Sequence, residues 1–315
     1  MALKILIVDK MHPSILDLFK ELGINPDYFP EMNREEIITK IASYEGLVIR
    51  SKTTVDRELI EAGQKLQFVA RAGSGTDNLD ADYLVKKGIR IFNAGEGNCD
   101  AVGDHTLGLL LSLLRNIVKS NDEIIHDKWL REENRGRELN NMTVGIIGFG
   151  HTGQAVVKRL LPFGCKVLVH DKYKFGFGNN FIEESTLENI KEKAHILSLH
   201  IPLTFETRHM VDDAFFASFH HNLYLINTSR GEIVDTEALV RNLKSGKVLG
   251  TALDVLEPEG KSFIKRRSEN HLQSLLNHEN AIVTPHIAGW TFESYKKINE
   301  VLIDKIKKEF IHNKP

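Results

Sequence analysis

The sequence predicts an α/β protein with two domains, each built around a parallel β-sheet. Short apolar runs alternate with segments of helical periodicity along most of the chain, which is typical of repeated strand–helix units. The length of 315 residues suits two domains, each with a sizeable core. In addition, residues 142–171 show the pattern of a strand, a glycine turn, a helix and a second strand.

Residues 1–95 form a first series of strand–helix units, with helices predicted near residues 13–22, 34–44 and 81–87 and strands predicted at KILIVD, GLVIR, LQFVAR and GIRIFN. Arg50 and Ser51 follow the second strand, and Arg71, Ser74 and Gly75 lie at the end of the third strand and in the glycine turn behind it. Because ligands bind beyond the carboxyl ends of parallel strands, the two arginines could hold a carboxylate and a phosphate. The alternative is a plain turn flanked by solvated arginines.

A helix that is apolar on nearly every side is predicted within residues 96–118. Such a helix must be buried, either inside a domain or against a second subunit. Residues 119–140 are strongly charged and include Trp129, Arg131, Arg135 and Arg137. They form either an ordinary charged surface or an arm that reaches a partner. We expect a homodimer, or a tetramer, that assembles through residues 98–140.

The glycine turn carries the motif GxGxxG at Gly148, Gly150 and Gly153. These glycines allow a tight turn, let a pyrophosphate approach the backbone and bring the helix close to the strand. Asp171 ends the next strand, 18 residues beyond Gly153, where a carboxylate binds the ribose hydroxyls and repels a 2′-phosphate. The pattern predicts a Rossmann-like domain that binds NAD rather than NADP, although flavin enzymes and methyltransferases also use glycine turns.

Polar residues also follow each of the later predicted strands, where a doubly wound sheet places its ligand-binding groups. They are His200 and Pro202, then Thr228, Ser229 and Arg230, then Asp254, Glu257 and Glu259, and finally His286. Judged alone, each has an ordinary structural explanation, such as a satisfied histidine, a turn-capping arginine or an acidic loop residue. Their convergence on one sheet edge favours a catalytic site.

Composition excludes several classes of function. A net charge of −2 and a pI near 6.7 give no electrostatic footprint for nucleic acid. Cys99 and Cys165 are the only cysteines, so neither a disulfide framework nor a cysteine metal cluster is expected, and no metal is predicted. The start of the chain reads as a strand rather than a signal peptide, and residues 107–114 are too short an apolar run to span a bilayer. We expect a cytoplasmic protein with a small anionic substrate.

The chain resembles the D-isomer-specific 2-hydroxyacid dehydrogenases over nearly its whole length. Five ordered motifs carry the resemblance: GFGHTG with Asp171, HIPLTFETRHMV, INTSRGEIVDTEAL, GTALDVLEPE and TPHIAGWT. Within that family, VIRSKTTV, FVARAGSGTDNLD and NAGEGN are most similar to the D-3-phosphoglycerate dehydrogenases, on shorter stretches of sequence. The resemblance implies a discontinuous substrate domain, residues 1–96 and 289–315, with an NAD-binding domain inserted at residues 97–288. It also implies Arg230, Glu259 and His286 as the catalytic triad.

The resemblance further implies residues that line the two ligands. The cofactor would contact residues in the glycine turn and beyond the later strands, namely Gly148, Gly150, His151, Thr152, Gly153, Asp171, His200, Pro202, Thr207, Thr228, Ser229, Asp254, Gly289 and Thr106. The substrate would contact Arg50, Ser51, Arg71, Ser74, Gly75 and Asn98, with Arg131 or Arg135 of a second subunit near its phosphate.

Some residues depart from the family pattern. Gly260 replaces an expected proline, residues 260–276 are expected to form a long basic loop, and Trp290 stands where relatives have a small residue. We also expect a short form without a C-terminal regulatory domain, and therefore no feedback by serine through such a domain.

Three functions follow from the resemblance. The first is oxidation of 3-phospho-D-glycerate in serine biosynthesis, and the second is reduction of glyoxylate, hydroxypyruvate or another 2-keto acid. The third is a non-enzymatic NAD sensor or corepressor, which carries less weight because all three triad positions are occupied.

Overall fold

The computed structural model describes residues 3–310, apart from the side chains of residues 260 and 261. In chain order the strands are β1 (Ile5–Ile7), β2 (Asp27–Tyr28), β3 (Gly46–Ile49), β4 (Phe68–Arg71), β5 (Arg90–Asn93), β6 (Thr143–Ile147), β7 (Lys166–His170), β8 (Glu183–Glu184), β9 (Ile196–Leu199), β10 (Leu223–Asn227), β11 (Val248–Leu253) and β12 (Ala281–Val283). The α-helices are α1 (Ser14–Glu21), α2 (Arg34–Ile41), α3 (Arg57–Ala62), α4 (Ala81–Lys86), α5 (Cys99–Leu114), α6 (Ile117–Ile125), α7 (His151–Leu160), α8 (Leu187–Lys193), α9 (Asp213–Ala217), α10 (Thr236–Ser245), α11 (Gly260–Arg266), α12 (Asn270–Leu276) and α13 (Phe292–Phe310).

The chain divides into two units, which we call unit 1 (Met1–Cys99 with Trp290–Pro315) and unit 2 (Asp100–Gly289). Each unit is built on one sheet, and all of the strand pairs in both sheets are parallel. The predicted α/β class with two parallel-sheet domains is therefore confirmed.

Unit 1 has a five-stranded sheet in the order β2-β1-β3-β4-β5. Successive side chains of a strand point to opposite faces, so Ile5 and Ile7 join one core while Leu6 and Val8 join the other. Helices α1 and α13 cover the first core, and helices α2, α3 and α4 cover the second. The helix that closes one face of the sheet thus comes from the C-terminal part of the chain.

Unit 2 has a seven-stranded sheet in the order β12-β11-β10-β9-β6-β7-β8. The strand order reverses at β6, which lies between β9 and β7. Ligands of doubly wound sheets bind at such a switch point, beyond the carboxyl ends of the strands. In this sheet the relevant ends are Ile147 and Leu199, which precede the glycine turn and His200.

The helix predicted within residues 96–118 is divided in two. Helix α5 ends at Leu114, Asn116 adopts a left-handed conformation with φ of 53°, and α6 begins at Ile117. Helix α5 is largely buried, as its apolar sequence requires, whereas no residue of α6 is buried. The break lets the chain leave the core before the charged segment.

The predicted loop over residues 260–276 is wrong, because the structure forms helices α11 and α12 there. The buried side chains of Leu272 and Leu275, three residues apart, fix one face of α12 against unit 2. The basic residues hid this apolar spacing. Within residues 3–310, no helix is long and apolar enough to cross a membrane.

Candidate active site

The turn between β6 and α7 has the close packing that its glycines predict. Gly148 has a φ of 97°, and a Cβ placed on it would lie 2.3 Å from the carbonyl oxygen of His200. A Cβ on Gly153 would lie 2.1 Å from the carbonyl oxygen of Gly148, whereas one on Gly150 would meet nothing within 4 Å. The first N–H groups of α7, which begins at His151, therefore adjoin open space beside Gly150. This geometry suits a pyrophosphate at a helix N-terminus.

Asp171 follows β7 and its carboxylate is fixed by the backbone. The N–H groups of Phe149, Tyr173 and Lys174 donate to it at 2.7, 2.9 and 3.0 Å. Burial alone would raise the pKa of Asp171, but these hydrogen bonds and the nearby Lys174 ammonium outweigh burial and lower it. The carboxylate therefore stays ionised, as an acceptor for ribose hydroxyls must.

His200, beyond the end of β9, has one ring nitrogen without a partner. Its Nε2 lies 2.8 Å from the hydroxyl of Ser198, while the buried Nδ1 makes no hydrogen bond within the described chain. Burial lowers the pKa of His200 to about 4, so the ring is neutral at physiological pH. An unsatisfied buried nitrogen beside the glycine turn is the kind of group that a bound ligand completes. The glycine turn, Asp171 and His200 together fit a dinucleotide.

Two more predicted cofactor residues meet directly. The hydroxyls of Thr106 on α5 and Thr228 after β10 lie 3.0 Å apart, and both residues are buried. Thr207 donates to the carbonyl of Pro202 at 2.8 Å and closes the loop after His200. These contacts give Thr106, Thr228, Pro202 and Thr207 clear structural roles.

The other cofactor candidates lie at the start of α7 and at the end of unit 2. Thr152 lies in the first turn of α7, His151 is exposed at its start, and Gly289 is half-buried at the end of unit 2. Their contact with the cofactor stays a prediction.

His286 and Glu259 form a hydrogen-bonded pair in unit 2. The Nδ1 of His286 lies 2.7 Å from Oε2 of Glu259, and 47% and 40% of the two side chains are exposed. This hydrogen bond raises the pKa of His286, although burial and the nearby Arg230 oppose the rise. Glu257 instead contacts Nε2 of His209 at 2.8 Å. The structure thus pairs His286 with Glu259, a choice that the sequence left to spacing alone.

The turn that carries Arg230 packs closely against the turn before Glu259. A Cβ on Gly231 would lie 2.2 Å from the carbonyl carbon of Leu256, so only glycine allows this approach. The amide of Asn227 donates to the carbonyl of Arg230 at 2.8 Å, and its oxygen accepts from both the N–H and the hydroxyl of Ser229. Ser229 therefore helps to fix the turn that presents Arg230.

The loop that carries His286 is held by Asp254. His286 has a left-handed backbone with φ of 56°, and its N–H donates to the carbonyl of Asp254 at 2.8 Å. The buried carboxylate of Asp254 accepts from the N–H groups of Ile287 and Ala288 at 2.9 and 2.7 Å. A rarely populated backbone conformation of this kind persists only where its surroundings determine it.

Two polar residues that the sequence analysis missed complete this network. The hydroxyl of Thr284 donates to Asp254, and Nε2 of His105 on α5 lies 3.0 Å from the same hydroxyl. Burial alone would raise the pKa of Asp254, but the hydrogen bonds from His105, Thr284 and the loop amides outweigh it and lower the pKa. No sequence signal linked His105 to a residue so distant in the chain.

Comparison with known proteins identifies the family. Residues 107–288 match the family described as D-isomer specific 2-hydroxyacid dehydrogenase, NAD binding domain. The chain belongs to this family. A hydroxypyruvate reductase from Thermotoga maritima is 34% identical over 302 residues, which are 96% of this chain and 95% of that protein.

Two further relatives bear on fold and substrate. A D-3-phosphoglycerate dehydrogenase from Methanocaldococcus jannaschii is also 34% identical, over 97% of this chain, but the chain spans 57% of its length. The crystal structure of a D-lactate dehydrogenase from Aquifex aeolicus, complexed with NAD and lactic acid, has a TM-score of 0.81 and 27% identity and covers 96% of this chain and 94% of its own. The predicted family, fold and cofactor are confirmed, and the protein is an NAD-dependent D-2-hydroxyacid dehydrogenase.

The predicted substrate residues of the dehydrogenase lie in unit 1. Arg50 and Ser51 directly follow β3, and Arg71 ends the adjacent strand β4, where it pairs in register with Ile49. The Arg71 guanidinium folds over Gly73, since a Cβ there would lie 1.8 Å from one of its nitrogens. The two arginines thus share one edge of the sheet.

The loop of unit 1 that carries Ser74 and Gly75 is also fixed. The side-chain amide of Asn93 donates to the carbonyl of Ser74 at 2.8 Å, so the loop that carries Ser74 and Gly75 is tied to the end of β5. The side-chain oxygen of Asn98 is buried and accepts no hydrogen bond within the described chain. Their contacts with substrate stay predictions.

Proposed function

We propose that the dehydrogenase oxidises 3-phospho-D-glycerate to 3-phosphohydroxypyruvate with NAD, a step that supplies serine biosynthesis. The observation that carries the proposal is the guanidinium of Arg50. It is half-buried, yet it forms no ion pair with any carboxylate among residues 3–310. Arg71 lies at the end of the neighbouring strand β4. A substrate phosphate would supply the missing negative charge.

The triad has the properties that alcohol oxidation requires. The glycine turn, Asp171 and His200 would hold NAD, which would supply a hydride acceptor for oxidation and, as NADH, a hydride donor for reduction. Neutral His286 accepts the hydroxyl proton as hydride leaves C2, and its imidazolium returns a proton to the ketone oxygen in reverse. Glu259 fixes the ring at Nδ1, so that Nε2 exchanges the proton, and stabilises the imidazolium. Arg230 offers a planar pair of N–H donors to the substrate carboxylate and the C2 oxygen.

A second function, reduction of hydroxypyruvate or glyoxylate, is favoured by the Thermotoga relative, which this chain matches over almost its entire length. The two substrate classes differ in the phosphate. The assay is therefore NADH formation with 3-phosphoglycerate beside NADH consumption with hydroxypyruvate and glyoxylate. Activity confined to the unphosphorylated acids would reject the first proposal, and no activity on any of them would favour an NAD sensor.

The Arg50→Ala variant tests the phosphate contact. We expect kcat/KM for 3-phosphoglycerate to fall about 50-fold, with little change for glyoxylate, because only the former carries the distal anion. Arg57→Ala is the matched control, since Arg57 is an exposed arginine of unit 1 that pairs with Asp80. Equal losses on both substrates would contradict a phosphate site at Arg50.

We also propose a homodimer formed through residues 98–140. Helix α6 exposes Ile117, Val118, Ile124 and Ile125 to at least half their area, and Trp129 is 84% exposed. An apolar surface of this kind usually marks an interface. Arg131 and Arg135 follow in the same segment, and Arg135 pairs with Glu132.

Light scattering on an Ile124→Asp/Ile125→Asp double variant tests this interface. The variant should be monomeric, whereas a control Val85→Asp, at an exposed valine of unit 1, should match the wild type. A monomeric wild-type protein would contradict the proposal. The cytoplasmic location stays a prediction.

A further inference from the structure

Arg50 is held by aromatic rings rather than by an acid. Its guanidinium carbon lies 3.9 Å from the ring centroid of Trp290 and 4.8 Å from that of Tyr295. The two ring centroids are 5.2 Å apart, so the rings form a corner against which the guanidinium lies. All three residues belong to unit 1.

The aromatic corner is itself anchored. The ring of Tyr295 packs edge-on against His12, with 5.4 Å between ring centroids. Tyr295 lies in the first turn of α13, and the amide of Asn299, one turn later, donates to the carbonyl of His12 at 3.0 Å. The first turn of α13 and the loop after β1 therefore hold Tyr295 from two sides.

The backbone of Arg50 is fixed independently of its side chain. The buried carboxylate of Asp9 accepts from the N–H groups of Arg50 and Lys52 at 2.6 and 3.2 Å. From the other side, the amide of Asn78 donates to the carbonyls of Arg50 and Thr53 at 3.0 and 2.7 Å. The loop after β3 thus has little freedom to move Arg50.

This arrangement leaves the hydrogen-bonding edge of the guanidinium available. Aromatic rings contact the face of a guanidinium and attract its charge, but they do not accept its five in-plane N–H groups. Arg34, Arg159 and Arg241, by contrast, each bind a carboxylate at 2.6 or 2.7 Å. Burial lowers the pKa of Arg50, and the nearby Tyr295 and Asp9 oppose this shift only in part.

From this geometry we propose that Trp290 and Tyr295 are positioning residues that hold the guanidinium of Arg50 in place for the distal anionic group of the substrate. The inference rests on the proposed function and specifies how its anion site is preorganised. A side chain fixed before binding loses less conformational entropy when the anion arrives, so the rings should lower KM without affecting the chemical step.

Kinetics with two substrates separate this role from a structural one. In Trp290→Leu and in Tyr295→Leu, we expect KM for 3-phosphoglycerate to rise about 5- to 20-fold, the range of a cation–π contact, at unchanged kcat. KM for glyoxylate, which has no distal anion, should not change. Trp290→Phe should restore most of the loss because it restores a ring face. Phe292→Leu is the control, since Phe292 is a neighbouring aromatic residue that is 95% exposed.

A double-mutant cycle shows whether the rings act through Arg50. If they do, adding Trp290→Leu to Arg50→Ala should not raise KM for 3-phosphoglycerate further. A further rise equal to that in the wild type would overturn the proposal, as would equal changes of KM for both substrates.

A spectroscopic experiment separates the aromatic corner from the identity of the substrate. The chain has two tryptophans, so a Trp129→Phe background makes Trp290 the only tryptophan reporter. Inorganic phosphate, but not sodium chloride of equal ionic strength, should change Trp290 fluorescence, and Arg50→Ala should abolish the change.

The result has distinct consequences for the two proposals. Turnover of 3-phosphoglycerate without this response would overturn the role of the aromatic corner and leave the proposed function standing. An Arg50-dependent response without turnover would support the corner and reject 3-phosphoglycerate as the substrate.

Discussion

Two loops, residues 50–53 in unit 1 and residues 284–288 in unit 2, are anchored in the same way, but the side chains that they present have different partners. Each directly follows a strand, and each is fastened by backbone N–H groups to the carboxylate of a residue that is 1% exposed, Asp9 in unit 1 and Asp254 in unit 2. Buried carboxylates with several amide donors are rigid anchors, because releasing any donor leaves a charge poorly solvated. In both loops, the buried carboxylate therefore fixes the backbone position from which the functional side chain extends.

The difference lies in what each presented side chain meets. His286 meets the carboxylate of Glu259, whereas Arg50 meets the rings of Trp290 and Tyr295. A group that exchanges a proton needs a partner that adjusts its pKa, and an acid does this. A group that binds an anion must keep its charge unneutralised, and rings allow this. The partner, more than the anchor, therefore determines the chemistry of each loop.

Removing the imidazole should break this comparison most severely. His286→Ala should lower kcat by about 10²- to 10⁴-fold, the usual contribution of general acid–base catalysis, while NADH still binds. Steady-state kinetics and NADH fluorescence titration measure the two effects. His209→Ala is the matched control, because His209 forms a second histidine–glutamate contact of 2.8 Å with Glu257. A kcat unaffected by His286→Ala would remove it from the mechanism.

Replacing each of the two anchoring aspartates with asparagine tests whether they serve separate functions. Asp254→Asn should lower kcat about 10-fold or more on every substrate, because the left-handed backbone at His286 loses its support. Asp9→Asn should instead raise KM for 3-phosphoglycerate and spare kcat. Each variant should lose about 1–3 kcal/mol of unfolding free energy, measured by urea denaturation. Identical kinetic effects from both variants would contradict the division.

Glu259→Gln tests the role of the acid partner through pH dependence. The hydrogen bond that His286 donates to Glu259 raises the pKa of His286, so its loss should lower that pKa. Oxidation requires neutral His286, and the acid limb of kcat/KM for oxidation should therefore move to lower pH. The alkaline limb for reduction, which requires the imidazolium, should also move to lower pH. If both limbs stayed at the same pH, the titration of His286 would not be the cause of the pH dependence of kcat/KM.

The smallest expected effect concerns stability at low pH. The pKa of Asp254 is lower in the folded protein than its ordinary value, so its contribution is fully present above about pH 4 and is lost as pH falls through the folded pKa. The difference in unfolding free energy between wild type and Asp254→Asn should therefore shrink below pH 4. Denaturation curves at pH 6 and pH 3 measure it, and a constant difference would argue against an ionised Asp254.

Local sequence patterns predicted the fold and the polar residues that follow its strands. The glycine turn and Asp171 depend on contacts within a single strand–helix–strand unit, and such units have strong signatures. The polar residues behind the strands were found because parallel strands place their carboxyl ends on one edge. The prediction of a loop at residues 260–276 was wrong because the many charged residues there obscured the helical spacing of Leu272 and Leu275.

The parts that sequence could not predict depend on contacts between distant residues. Arg50 and Trp290 are separated by most of the chain, and nothing local to Trp290 indicates a guanidinium beside it. The sequence could not show which of Glu257 and Glu259 pairs with His286, because Glu257 instead contacts the distant residue His209. His105 was likewise linked to Thr284 only by the packing of α5 in unit 2.

Helix α13 has a consequence for the order of folding during synthesis. Unit 2 is one continuous stretch that is complete at residue 289, but the core of unit 1 lacks the cover of α13 until residues 292–310 have left the ribosome. Domains fold as units as they emerge. We therefore expect unit 2 to reach its native state first. Until α13 has emerged, one apolar face of the unit 1 sheet stays exposed and accessible to chaperones.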